Sequence, residues 1–263
     1  MEAAAYDEMR SLEDHHWWFR GRRRRVRRLL AEAVRALREG PAGSATLETA
    51  EVGCGTGGNL AHLLAEVESA RSLGVDPDGL ALGYCRERGL ASRLVRATGQ
   101  SLPLATDSLD LILATDIIEH IEDDGAALRE FRRVLRPGGQ LIATVPQYPS
   151  LWSPHDDFLH HVRRYRSGEL ERKLASAGFR VARREGFNFL LLFPIAVVRW
   201  LKSALSRRSE RPKGSDFSVT PAFMDSIFDG LLSLETPLAR WLPLPLGLSL
   251  MIRAEKKDPG PSA

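Results

Sequence analysis

A glycine-rich turn between a β-prone run and an amphipathic helical pattern constrains this chain more than any other feature. The turn occupies residues 51–58, with the sequence EVGCGTGG. Gly53, Gly55 and Gly57 let the backbone take conformations closed to residues with a Cβ, and they let a ligand approach the main chain. The start of the following helix adds unpaired N–H groups. A strand, a glycine turn and a helix start in this order predict a site for a nucleotide-like ligand.

Two classes of cofactor compete for such a turn. Gly53, Gly55 and Gly58 have the G-x-G-x-x-G spacing of a dinucleotide-binding loop, in which the helix N-terminus receives a pyrophosphate. Glu51, at the end of the strand, discriminates between the classes, because a carboxylate repels a pyrophosphate and attracts a cationic ligand that carries an amine. S-adenosylmethionine (SAM) is such a ligand, with a sulfonium and an ammonium group.

The turn resembles the first motif of the class I SAM-dependent methyltransferases, an acidic residue followed by G-x-G-x-G. Three later stretches resemble further motifs of that superfamily in the same order: TGQSLPL, DSLDLILATDIIEH and LRPGGQLIATVP. Near the N-terminus, HWWFRGRR resembles the HWWF-x-x-RR segment of many bacterial members. The chain is therefore similar to methyltransferases of type 11, and the resemblance implies SAM as the cofactor.

Strands that alternate with helices predict a Rossmann-like, doubly wound α/β sheet with its ligand crevice at the carboxyl ends of the strands. The length of 263 residues and the hydrophobic share of 43% suit one main domain. The resemblance implies seven strands, an N-terminal helical cap and a helical insertion before the last strand. We expect the cap at residues 1–44, the SAM-binding core at 45–188 and 246–257, the insertion or lid at 189–245, and a disordered tail at 258–263.

Asp76 is the second residue that points to an adenosine ligand. It lies about 20 positions beyond the turn, at the end of the second predicted strand, where a carboxylate can accept hydrogen bonds from both ribose hydroxyls. The resemblance implies that Gly99 and its neighbours line the adenine, and that the end of the fourth strand faces the amino-acid part of SAM. The predicted cofactor-binding residues are Arg23, Glu51, Gly53, Cys54, Gly55, Gly57, Asp76, Pro77, Gly99, Gln100, Ser101, Ala114, Thr115 and Asp116.

Arginines crowd the first turns of an amphipathic helix near the N-terminus. Six of them lie between positions 22 and 28, beside apolar residues that recur at helical spacing from Val26 to Leu37. A charge run of this kind favours a solvated basic face. The resemblance implies instead that the helix caps the cofactor pocket, with Arg23 paired to the methionine carboxylate of SAM. Both interpretations stay open.

The segment after the fifth predicted strand is dense in histidine and aspartate, with five such residues between positions 155 and 161. No metal is predicted there, since histidines one apart cannot share a helix face and no third ligand completes an H-x-x-x-H pattern. Packing of the loop is one alternative. The other is substrate binding or proton removal, because methyl acceptors enter this fold from that side in the superfamily. The candidate catalytic residues are His155, His160 and His161.

The insertion is the least generic part of the chain. Its first half mixes Ile195, Val197, Trp200 and other apolar residues with Arg199 and Lys202, the composition of an interfacial helix. The run is too short to span a bilayer. The insertion is either a lid that admits a hydrophobic or lipid-like acceptor and rests on a membrane through residues 189–241, or an ordinary cap over a small-molecule pocket. Its second half predicts an apolar stripe of Phe223, Ile227, Leu231, Leu234, Leu238 and Trp241.

The sequence predicts a methyltransferase that transfers the methyl group of SAM to an O, N or C atom of a small, hydrophobic or lipid-like acceptor. One alternative is an NAD(P)-binding oxidoreductase, which lacks an evident Tyr-x-x-x-Lys pair, and another is a non-catalytic membrane-peripheral binding protein. Nucleic acid is disfavoured as the acceptor in spite of the arginines, since no N/D-P-P-Y/F motif follows the fourth strand. Two cysteines and a polar N-terminus predict a cytoplasmic protein, or one peripheral at the inner membrane face.

Overall fold

Seven strands form a single mixed sheet in the computed structural model, which describes residues 3–40, 46–68, 70–90, 93–193, 197, 222–241 and 246–257. Their order across the sheet is β3-β2-β1-β4-β5-β7-β6. The first five pair in parallel, and β7 runs antiparallel to both β5 and β6. The predicted Rossmann-like fold is thereby confirmed. The strands are β1 (Leu47–Val52), β2 (Ala70–Asp76), β3 (Leu94–Arg96), β4 (Leu109–Thr115), β5 (Leu135–Pro146), β6 (Phe179–Phe187) and β7 (Ser249–Lys256).

Helices cover both faces of this sheet. The central strand β4 has a nearly all-aliphatic sequence, LDLILAT, because every one of its residues is buried. Ile112 and Ala114 belong to the core on one face, and Leu111 and Leu113 belong to the core on the other. The helices are α1 (Ala3–Leu12), α2 (Trp17–Glu39), α3 (Gly58–His62), α4 (Gly79–Glu87), α5 (Asp124–Val134), α6 (Pro154–Phe158), α7 (Glu169–Ser176) and α8 (Ala222–Trp241).

The arginine run of α2 is mostly buried or half-buried, with Arg27 as an exposed member, so the interpretation as a solvated basic face is wrong for most of the run. Arg25 is only 1% exposed and donates to Glu185 on β6 at 2.9 Å. Arg24 donates to Asp229 on α8 at 2.7 Å. Their carboxylate partners lie on elements that are more than a hundred residues away along the chain, so the local charge run carries no sign of them. These ion pairs connect α2 to both β6 and α8.

Helix α8 packs with a different face from the one that its apolar pattern predicts. Ile227 and Leu234 are 55% and 67% exposed, whereas Leu232 and Glu235 are buried. The structure does not describe the side chains of Phe223, Leu238 and Trp241. Of the residues named above for the interfacial helix, it describes only Val197. Within the part of the chain that the structure describes, no helix has the length and apolar content needed to cross a membrane.

Candidate active site

A cavity of about 340 Å³ lies at the carboxyl ends of the parallel strands. Its floor comes from the ends of β1, β2 and β4 and from the residues that follow them. Helix α1 and the first turns of α2 close it from above, and the loop that carries α6 forms a third side. The residues that line it from these elements include Glu51, Asp76, Thr115, Asp116, Tyr6, Met9, Trp18, Arg22, His155 and His161.

The glycine turn after β1 has the conformation that its sequence predicts. Gly53, Gly55 and Gly57 have φ values of +75°, +52° and +85°, in the left-handed region that residues with a Cβ rarely adopt. A Cβ at Gly53 would also overlap the side chain of Ile117. The turn therefore brings the backbone against the cavity at a place where no side chain could stand.

Glu51 supplies a buried carboxyl group, one of whose oxygens has no partner among the described residues. Its side chain is fully buried, Oε1 accepts a hydrogen bond from Asn59 Nδ2 at 3.0 Å, and Oε2 has no hydrogen-bond partner among the described residues. Burial raises the pKa of this carboxyl to about 8. A buried acceptor of this kind beside a cavity suits an ammonium group. The residues present therefore fit the amino-acid part of SAM.

Asp76 both lines the cavity and holds the glycine turn in place. Its Oδ2 accepts from the backbone N–H of Gly55 and its Oδ1 from that of Asp78, each at 2.9 Å. Burial raises the pKa of Asp76 in spite of these two hydrogen bonds. A carboxylate has about four lone-pair positions, so Asp76 can still accept hydrogen bonds from ribose hydroxyls.

The predicted cofactor-binding residues divide into two groups. Glu51, Gly53, Cys54, Gly55, Asp76, Pro77, Thr115 and Asp116 line the cavity. Arg23, Gly57, Gly99, Gln100, Ser101 and Ala114 are not among the residues that line it.

An arginine does reach the cavity from α2, but it is Arg22 rather than Arg23. Arg22 pairs with Asp116 at the end of β4, and its guanidinium lies 4.6 Å from the centre of the Trp18 ring. Arg23 donates instead to the backbone carbonyls of Glu13 and Asp14. Successive residues of a helix point about 100° apart, so a shift of one position changes which arginine faces the site.

Two of the three candidate histidines lie at the cavity. His155 and His161 line it, whereas His160 does not. His161 Nδ1 lies 2.8 Å from Asp156 Oδ1, which also accepts from Arg164 Nε at 2.7 Å. Burial acts to raise the pKa of Asp156, but the hydrogen bond with His161 and the charge of Arg164 outweigh it and hold the pKa below its usual range. The ionised carboxylate orients the imidazole.

Glu119 and His120 are cavity residues that the sequence did not single out. Glu119 is fully buried, and neither of its carboxylate oxygens meets a hydrogen-bond donor within the described chain. Burial raises its pKa well above the usual value, and burial lowers the pKa of His120 to about 4. The sequence signal for them is DIIEH, in which an acidic residue and a histidine lie a few positions after a buried strand.

Comparison with known proteins agrees with this geometry. Residues 50–143 match the family model of a methyltransferase domain. A protein of Mycolicibacterium smegmatis, named as a probable S-adenosylmethionine-dependent methyltransferase, is 33% identical over 133 residues, which are 50% of this chain and 51% of that protein. A similarly named protein of Mycobacterium tuberculosis is 34% identical over 133 residues, with 49% and 47% covered. The chain thus spans about half the length of the curated relatives it matches.

Among solved structures, a SAM-dependent methyltransferase from Archaeoglobus fulgidus has a TM-score of 0.53 and 17% identity, with 89% of this chain and 94% of that chain covered. At this identity the likeness concerns the fold alone. Residues 50–143 thus match a methyltransferase domain, and the seven-stranded sheet and the glycine turn are similar to those of the class I SAM-dependent methyltransferases. The matched family and the fold imply SAM as the cofactor.

Proposed function

We propose that this protein transfers the methyl group of SAM to an O, N or C atom of a small, hydrophobic acceptor. The observation that carries the proposal is the unpartnered, buried oxygen of Glu51 beside the glycine turn, with Asp76 at the end of the neighbouring strand. SAM, when bound, supplies a methyl group activated by its sulfonium. The protein then contributes mainly by holding two molecules in a reactive orientation, which lowers a barrier by about 7–11 kcal/mol.

The walls of the cavity support an apolar acceptor. Trp17, Trp18 and Phe19 border it from the start of α2, and Leu159 and Leu248 border it from two loops. These side chains exclude water from the site and offer surface to a hydrophobic molecule. Apolar side chains of the predicted insertion are also exposed, among them Phe193 at 63% and Val197 at 54%. They support the further proposal that residues 189–241 make a peripheral membrane contact through which a lipid-like acceptor is reached.

His161 supports proton removal when the acceptor is a hydroxyl. Because Nδ1 is directed at the ionised Asp156, the neutral ring carries its lone pair on Nε2. An oriented imidazole of this kind typically contributes about 10²–10⁴-fold as a general base. An amine or a carbanion acceptor would not require it.

The fold alone does not select this function, because the [4+2]-cyclase SpnF has the same fold, with a TM-score of 0.52 and 20% identity over 88% of this chain and 81% of that chain. An NAD(P)-binding oxidoreductase is the rival that the glycine spacing allows, and the unpartnered carboxylate of Glu51 opposes its pyrophosphate.

The test is a transfer assay with trideuteromethyl-labelled SAM. The purified protein is incubated with labelled SAM and with bacterial lipid or polar metabolite extracts, and mass spectrometry searches for compounds that have gained one labelled methyl group. We expect a labelled product in the lipid extract and none with a folded Glu51→Gln variant. Labelling that is equal with the variant, or that is absent from every extract although SAM is bound, would contradict the proposed transfer.

A further inference from the structure

Three side chains that can bind metal meet on one wall of the cavity. Glu119, His120 and His161 each offer a ligand atom, and these atoms all lie within 4.8 Å of one another. The rings of His120 and His161 make an edge-to-face contact, with centroids 4.8 Å apart. All three residues line the cavity that also contains Glu51.

The fold brings this cluster together from two segments that are about forty residues apart. Glu119 and His120 belong to a 3₁₀ turn, Ile118–His120, that follows β4. His161 belongs to the loop after α6, and the next residue, Val162, donates its backbone N–H to the carbonyl of Glu119 at 3.0 Å. This hydrogen bond pins the loop against the turn. The cluster is therefore set by backbone structure and does not depend on a chance approach of long side chains.

Glu119 gives an independent sign that a ligand is bound here. Its side chain is fully buried, and neither carboxylate oxygen has a hydrogen-bond partner within the described residues. A carboxylate buried in this way is costly unless a cation compensates it. The two nearby arginines are already engaged, since Arg22 pairs with Asp116 and Arg164 pairs with Asp156. Among the described residues, no cationic group is hydrogen-bonded to either oxygen of Glu119.

The outer contacts of both histidines are those of metal ligands. A metal-binding histidine almost always directs its second ring nitrogen at a carboxylate or a backbone carbonyl, which fixes the orientation of the ring. His161 Nδ1 lies 2.8 Å from Asp156 Oδ1. The ring of His120 makes a hydrogen bond to the backbone of His160. Each imidazole therefore has a hydrogen bond that fixes the orientation of its ring.

We propose that Glu119, His120 and His161 bind a divalent transition-metal ion. Two imidazoles and one carboxylate with an open position form the donor set of catalytic zinc sites, and this set also accepts other first-row divalent ions. Ligand atoms of a tetrahedral zinc ion lie about 3.3 Å apart, given Zn–N distances of about 2.0 Å. The three ligand atoms lie within 4.8 Å of one another, so side-chain rotations would have to bring them closer to reach that distance. All three residues line the cavity, from which an open coordination position would be reached.

The site also assigns an acceptor class, and this part rests on the proposed methyl transfer. A cation at the cavity wall binds an acceptor through an oxygen atom, and it lowers the pKa of that hydroxyl as it lowers the pKa of bound water to about 7. The hydroxyl then releases its proton to solvent at neutral pH. In that state His161 is a ligand and not the proton acceptor. The acceptor is a hydroxyl compound that can coordinate a metal.

The test measures metal binding in the absence of SAM, so its result does not depend on methyl transfer. The protein is stripped with a chelator, and calorimetry follows the binding of Zn²⁺ to the wild type and to Glu119→Gln and His120→Gln. His62→Gln is the matched control, because His62 is an exposed histidine that pairs with Asp14 and does not line the cavity. In parallel, Co²⁺ is added to the wild type and its visible absorption is recorded. Circular dichroism confirms that each variant is folded.

We expect one ion per chain and an unchanged affinity in His62→Gln. In the two cluster variants the affinity for Zn²⁺ should fall by more than about 10–100-fold, which is the cost of removing a residue that only contacts a ligand. The Co²⁺ spectrum of the wild type should lack thiolate-to-metal bands, because the sulfurs of Cys54 and Cys85, 3.9 Å apart, form the alternative site. Three results overturn the proposal: no binding by the wild type, thiolate bands with Co²⁺, or an affinity unchanged in folded cluster variants. The Co²⁺ spectrum decides the matter even if both variants fail to fold.

Discussion

At the scale of single residues, Glu51 makes cofactor binding depend on pH. The buried carboxyl is protonated below about pH 8 in the free protein, and a bound ammonium group favours its ionised form. Binding therefore releases a proton at lower pH. We predict that the affinity for S-adenosylhomocysteine, which retains the ammonium group, rises between about pH 6 and about pH 8 and then levels off. Calorimetry in buffers of different ionisation enthalpy measures both the affinity and the proton release.

Glu51→Gln is the control for this prediction. It keeps the side-chain volume and removes the titrating group, so its weaker binding should be independent of pH over the same range. An equal pH dependence in the wild type and the variant would assign the titration to another group.

The two adjacent histidines should differ in their effect on turnover. His161 is held by Asp156 at the cavity, whereas His160 lies outside its lining. We predict that His161→Gln lowers kcat by about 10²-fold or more with a hydroxyl acceptor, whether His161 acts as the base or as a metal ligand, and that His160→Gln leaves kcat unchanged. Steady-state kinetics between about pH 6 and pH 9 measure the difference. If both variants behaved as the wild type, the loop would serve packing alone.

Residues that act through local geometry could be predicted, and residues that act through tertiary partners could not. The left-handed conformations of Gly53 and Gly55 and the position of Asp76 follow from motif spacing and strand order. Arg22 was missed in favour of Arg23, because the sequence does not give the rotation of α2 about its axis. Glu119 and His120 were missed as a cluster, because His161 reaches them only through the fold.

At the scale of elements, the buried ion pairs of α2 determine how the cap is attached. Glu185 on β6 is fully buried and pairs with Arg25, Arg28 and Arg183. We predict that Glu185→Gln destabilises the protein by about 3–5 kcal/mol, because it leaves the buried Arg25 with only the more distant Glu235, at 3.6 Å, as a compensating charge. The free energy of unfolding in urea measures this. Glu66→Gln is the matched control, since Glu66 pairs with Arg27 at a surface where the two side chains are 53% and 47% exposed.

The control should lose no more than about 1 kcal/mol. Equal, small losses in both variants would show that the buried network contributes little to the attachment of α2.

The sequence predicted elements well where burial is uniform and poorly where a buried face is mixed. Strand β4, with continuous aliphatic residues, has the bounds that its pattern predicts. The packed face of α8 combines Leu232 with Glu235, and Asp225 and Asp229 pair with Arg20 of α2. Apolar periodicity therefore selected a stripe in which Ile227 and Leu234 are exposed, while Leu231 packs against the core. Because α8 packs against α2 partly through charged side chains, this face of α8 leaves no hydrophobic pattern in the sequence.

At the scale of the whole molecule, exposed apolar side chains and basic residues of one region lead to a prediction about membranes. Phe193, Ile227 and Leu234 are more than half exposed, and the intervening sequence contains Arg199 and Lys202. We predict that the protein floats with anionic liposomes in a density gradient and that salt weakens this binding, with about 1 kcal/mol contributed per basic residue near the surface. Arg199→Glu combined with Lys202→Glu should reduce the bound fraction. Absence of binding to every vesicle by folded protein that still binds SAM would reject the membrane contact.

The proposed function depends on the cavity being a SAM site. Calorimetric titration of the purified protein with SAM and with NADPH tests this most directly. We predict that SAM binds to one site per chain and that NADPH does not bind. Asp76→Ala should weaken SAM binding by about 1–3 kcal/mol, because it leaves hydrogen-bonding groups of the ligand unpaired. Tight binding of NADPH together with no binding of SAM would contradict the account.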